Sequence, residues 1–120
     1  DRSPKHLSYD LCNSIIDKDY SQALRIIQSA HLEGRNLSNL IIESSSNFLT
    51  AFKYIALRYK KEDRIPEIVH ICKSVSTLHL IDLSQDLYNI TKNIRQTVSE
   101  DIMISTSVLK IIEKYASLKA

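Results

Sequence analysis

One glycine, two prolines and no tryptophan stand among the 120 residues, and each scarcity removes a class of protein. A phosphate-cradling loop needs several glycines ahead of a helix, so that backbone N–H groups can approach the anion. One glycine cannot build it. Few Gly and Pro also leave little material for hairpins, which argues for few, long elements. Cys12 and Cys72 lie far apart with no CxxC spacing. That excludes a disulfide framework and points to a reducing compartment, the cytoplasm, with both thiols buried and free. Charge of one sign is nearly absent as an excess: 16 basic against 14 acidic residues leave +2. No acidic partner or nucleic acid is required by that balance. Apolar runs are only a few residues long, too short for a membrane span, and no signal peptide is visible.

What the chain does contain is an ordinary globular mix, 43% hydrophobic and 25% charged, of a length that fits one domain, residues 1–120. The apolar spacing is helical throughout. Ser3 and Pro4 open a helix over about 5–17, carrying Leu7, Leu11 and Ile15. Asp19 caps a second, in which Tyr20, Ala23, Leu24, Ile27, Ala30 and His31 share a stripe. It stops near Glu33. Gly34 then supplies the positive φ that ends many helices, and Asn36 caps the next, so "EGRN" reads as stop, turn, start. The third helix runs over about 37–60, with Leu37, Leu40, Ile41, Phe48, Phe52, Ile55 and Tyr59 inward. Ser44, Ser45 and Ser46 keep it slim enough for a neighbour to approach closely. Pro66 starts a short helix to about 73. Ser76 caps a fifth, whose seam is Leu80, Leu83, Leu87, Ile90 and Ile94. Ser99 caps a sixth over about 100–117, with Ile104, Val108, Ile111, Ile112 and Tyr115 inward. No alternation of strand type persists. The expected fold is all-α, a compact bundle of five to six helices.

Chemistry is harder to find. His6, His31, His70 and His79 are scattered, with no i, i+4 pair to start a metal site. His70 and Cys72 are two apart, which puts them on different faces of a helix rather than in a nucleophile–base pair. The acids Asp17, Asp19, Asp82, Asp86, Glu100 and Asp101 sit at helix starts or on polar faces, where capping accounts for several. The densest basic run, Arg58 to Arg64, is broken by Glu62 and Asp63 and reads as a solvated loop. No catalytic, cofactor-binding or metal residues are therefore assigned. Tyrosine is the candidate surface anchor, because it joins a large apolar ring to a wet hydroxyl. Tyr54, Tyr59 and Tyr88, on the third and fifth helices, are the interface candidates. Gly34 and Asn36 are assigned a structural turn.

The order of signals resembles one family. Ile15 and Ile16 are followed by Lys18 and Asp19, then by Ala23 and Leu24, then by Glu33, Gly34, Arg35 and Asn36. Leu40, Ile41, Phe48 and Phe52 continue the pattern, and "VSTLHLIDLSQDLYNITKNIR" follows with its own Ser cap. This is similar to the third domain, the helical collar, of bacterial DNA polymerase III clamp-loader gamma/tau subunits, over about residues 10–115. Leu49 stands where that family often carries an arginine, and Ser105 or Thr106 where it carries a glutamate. The resemblance implies a non-catalytic domain that holds clamp-loader subunits together while separate ATPase domains, preceding Asp1 in a longer chain, open the sliding clamp. Its partners would be other clamp-loader subunits, with no cofactor, small-molecule substrate, membrane or direct nucleic-acid contact. A stand-alone adaptor of Bcl-2-like kind, taking an amphipathic helix in a groove, is the competing expectation.

Overall fold

The computed structural model describes residues 3–58, 60, 65–93 and 99–119. Among them are six helices and no strand: α1 Pro4–Ile16, α2 Tyr20–Leu32, α3 Leu37–Ala56, α4 Pro66–Ser74, α5 Thr77–Lys92 and α6 Glu100–Lys119. The chain is thus an all-α bundle.

Three helix starts are capped by the side chains that the sequence offers. Ser3 Oγ accepts from His6 N–H, Asp19 Oδ1 from Gln22 N–H, and Asn36 Oδ1 from Asn39 N–H. Each bond satisfies one of the orphan donors of a first turn. Ser76 occupies the cap position of α5 with extended backbone, but its side chain makes no capping bond.

Helix ends follow a common geometry. At the α2 end, Arg35 N–H reaches Ala30 C=O at 2.9 Å and Gly34 N–H reaches His31 C=O at 3.0 Å, with Gly34 at φ +75°. The α1 end repeats this: Asp19 N–H to Ser14 C=O at 2.8 Å, and Lys18 N–H to Ile15 C=O at 3.2 Å. There the left-handed residue is Lys18, at φ +56°. α3 ends at Ala56 rather than near 60, because Leu57 caps it and Arg58 turns left-handed at φ +50°.

α3 is the spine. It packs along α5 and against α1 and α4, while α2 packs on α6 and α1. Its core face is apolar, with Leu40, Ile41, Phe48 and Ala51 buried against Leu11, Ile15, Ile27, Ile68, Ile71, Leu80, Leu87, Ile104, Val108 and Ile112 of the other helices. Burying side chains of this kind contributes about 1.5–3 kcal/mol each. The serines do what their size suggests. Ser44 faces α1, donating to Leu40 C=O at 2.8 Å while its own carbonyl accepts from Cys12 Sγ at 3.4 Å. Ser45 faces α5, donating to Ser84 C=O at 2.7 Å. Ser46 points outward. Asn47 Nδ2 donates to Ser8 Oγ at 3.0 Å, while Glu43 Oε2 on the same side of α3 has no accessible surface and no hydrogen-bond partner among the described residues.

Two inward stripes need correction. Ile55 is exposed although it keeps the spacing of the stripe, one residue before α3 ends. In α2 the buried set is Ala23, Ile26, Ile27 and Ala30, so the core face is rotated toward Ile26 and leaves Tyr20 and His31 in solvent.

Candidate functional site

An open apolar surface lies along α3 and α5. These helices run antiparallel. The C-terminal half of α3 meets α4 just before α5 begins, where Cys72 Sγ donates to Ala51 C=O at 3.3 Å. The α3 start meets α6 just after α5 ends, where Ser38 Oγ donates to Glu100 at 3.3 Å. Each helix gives one face to the core and, roughly 140° around the axis, presents a second apolar line. On α3 that line is Ile42 and Leu49; on α5 it is Leu78, Ile81 and Tyr88. Leu78 is 80% exposed, Tyr88 46%, Ile42 41% and Leu49 37%. Between them runs a groove of about 540 Å³, floored by Ser45 and Ser84 and walled by Leu49, Ile81 and Tyr88. The small floor makes the groove: the two serines bond each other where larger side chains would fill it. The Lys92 ammonium lies 4.9 Å from the Tyr88 ring centroid and holds one end.

The three tyrosine candidates separate. Tyr88 stands on this face. Tyr54 does not: it is 5% exposed, its ring packs in the core, and its hydroxyl accepts from Ile65 N–H at 3.1 Å. It ties the α3–α4 connection to the bundle and has no surface to offer a partner. Tyr59 lies outside the described residues, as does most of the Arg58–Arg64 run. Gly34 and Asn36 occupy the turn assigned to them, at φ +75° and as the α3 cap. The residues that sequence reasoning passed over are Ile42, Leu49, Leu78 and Ile81. Their signal was available: they are apolar residues left over once each helix had been given its core stripe.

Other places carry less. A hollow of about 240 Å³ between α1, α2 and α3 is lined by Leu7, Ala30, Leu40 and Glu43, where Glu43 Oε2 has no accessible surface and no hydrogen-bond partner among the described residues. Among the described residues no three His, Cys, Asp or Glu side chains are placed to hold a metal ion. His70 is exposed while Cys72 turns inward onto α3. His79 meets the Tyr115 ring edge-on, with centroids 5.7 Å apart. Cys12 is fully buried, and burial pushes its thiol up to about 12 against the lowering effect of its Asn47 and Ser44 contacts. A thiol held protonated in this way is a packing group rather than a nucleophile. Among the described residues no helix is long and apolar enough to cross a membrane.

No family model, curated protein or solved structure matches the chain.

Proposed function

We propose that the chain is a non-catalytic assembly domain of a clamp loader, a helical collar that holds neighbouring subunits together while a sliding clamp is loaded in DNA replication. Two lines support the reading. The first is the order of helix punctuation from Ile15 to Tyr59, with "EGRN" within it, which resembles the gamma/tau collar. The second carries most weight: the α3–α5 face is apolar, grooved and open, and nothing in the bundle uses it. A surface of that kind has the make-up of a protein interface core, with an aromatic anchor and few charges. In this reading the partners are other clamp-loader subunits in the cytoplasm, and ATP hydrolysis belongs to other domains of a longer protein.

The test is assembly. The full subunit is mixed with its clamp-loader partners and followed by light scattering and co-purification, with and without residues 1–120. The expected result is loss of the complex on deletion, and loss of most of it with Leu49→Asp or Tyr88→Asp. A complex that survives the deletion overturns the reading.

A further inference from the structure

The hollow between α1, α2 and α3 lies on the α1 side of α3, apart from the α5 groove. Asn36, Asn39, Leu40 and Glu43 form one wall, at spacings of three, four and seven residues that put them on one side of the helix. Leu7 of α1 and Ala30 of α2 close it from the other side. Leu40 and Ala30 are buried and Leu7 packs partly against the core, so the floor is apolar.

Two charged side chains line this space. Arg35 already serves an acid outside it, its Nε donating to Glu33 Oε1 at 2.7 Å. Glu43 makes no hydrogen bond or ion pair among the described residues, and its Oε2 has no accessible surface. Enclosing a carboxylate oxygen without a partner costs free energy. The charge is shared by both oxygens, so a cation in the hollow, meeting the carboxylate through the other oxygen, offsets that cost.

We propose that the hollow binds a small organic amine, a primary ammonium on a short apolar body. The ammonium pairs with Glu43, and the body lies on Leu7, Ala30 and Leu40. Other ligands fit less well. A divalent metal needs several oxygen or nitrogen ligands, and among the described residues no three His, Cys, Asp or Glu side chains come together. An anion would face the uncompensated Glu43, and a neutral ligand leaves the enclosed oxygen as it was. At about 240 Å³ the hollow is smaller than the roughly 300–1,000 Å³ of usual ligand sites, which keeps the body short. Among the described residues no Ser, Thr, Cys, His or Lys lines it, so the amine is held rather than transformed. The site goes beyond the assembly reading and does not rest on it.

The probes are benzylamine, benzyl alcohol and benzoate, which share a ring and differ in charge. Each is titrated into the chain and followed by amide chemical shifts. Benzylamine is expected to bind roughly tenfold tighter than benzyl alcohol, with shifts centred on Ala30, Leu40 and Glu43, and benzoate should bind weakest. Glu43→Gln keeps the shape, removes the charge, and should bring benzylamine down to the level of the alcohol. Equal binding of amine and alcohol, tightest binding by benzoate, shifts centred elsewhere, or no binding of benzylamine at millimolar concentration would each overturn the inference. So would a folded Glu43→Gln chain that binds benzylamine as the parent does. Should that variant fail to fold, the ranking of the three probes on the parent chain decides alone.

Discussion

The α1–α2 and α2–α3 connections close with the same pair of backbone hydrogen bonds, yet one places Lys18 and the other Gly34 at the left-handed position. Gly34 takes φ +75° without a Cβ to strain. Lys18 carries a side chain into a region that costs an L-residue about 1–2 kcal/mol. The difference shows where each turn gets its support. Gly34 is exposed, and an added Cβ would meet nothing within 4 Å, so its conformation comes from local freedom alone. Lys18 follows Ile15 and Ile16, both buried, and its ammonium lies 5.9 Å from the Tyr115 ring of α6. Packing of the α1 end ahead of it imposes the turn, and the lysine stem reaches a partner on another helix. One turn is written into its own residue; the other is enforced by its neighbours.

The comparison breaks most severely when the enforcing packing is removed. Ile15→Ala leaves a cavity in the fully buried α1 core and should cost about 2–5 kcal/mol, read as a lower urea midpoint with an unchanged slope. Next comes Gly34→Val. With open space around the site, its cost of about 1–2 kcal/mol is backbone strain alone; an unchanged midpoint would mean that the left-handed frame is not strained. Asp19→Ala and Asn36→Ala remove matching caps on the two turns, and each should cost about 1 kcal/mol. Unequal losses would show that the two helix starts differ in solvent access. Lys18→Gly relieves strain and gives up the Tyr115 contact, for a net gain of about 0.5 kcal/mol, whereas Lys18→Ala keeps the strain and loses the contact. Circular dichroism melts of the pair should therefore differ in sign.

The smallest effect near neutral pH is that of Cys12. Its folded pKa, about 12, lies above the ordinary thiol value of 9.0. The folded state therefore holds the proton more tightly, and stability from this group is full below about pH 9 and lost as pH rises toward 12. Burial raises the Tyr9 hydroxyl as well, with Glu67 adding to it, so Tyr9 acts in the same direction. Alkaline unfolding should set in above pH 9, with a shallower limb in Cys12→Ala. The curve of Gly34→Val should run parallel to the parent, because turn strain does not titrate.

Much of this was legible beforehand, for identifiable reasons. Ser3, Asp19 and Asn36 cap through bonds three residues long, which a local pattern is enough to specify. Leu80, Leu83, Leu87 and Ile90 form the α5 seam because their spacing follows the helix period; Ile94 lies outside the described residues. Lys18 and Arg58 were not legible, since neither residue type favours positive φ. Ile55 was misjudged because it keeps the spacing of the buried stripe, seven residues after Phe48, yet lies one residue from the helix end, where spacing alone does not supply a covering neighbour. Tyr54 and Tyr88 looked alike in sequence, and only their neighbours told them apart.

By itself the sequence determined the class, a bundle of five to six helices, most of their boundaries, and the glycine turn. These depend on residues within one or two turns of each other. The tertiary structure decided which apolar lines are covered and which stay open, that Tyr54 goes in while Tyr88 stays out, and that α3 and α5 share a groove. Helical periodicity marks a face, but burial belongs to a pair of faces, and the second member of each pair comes from a distant part of the chain.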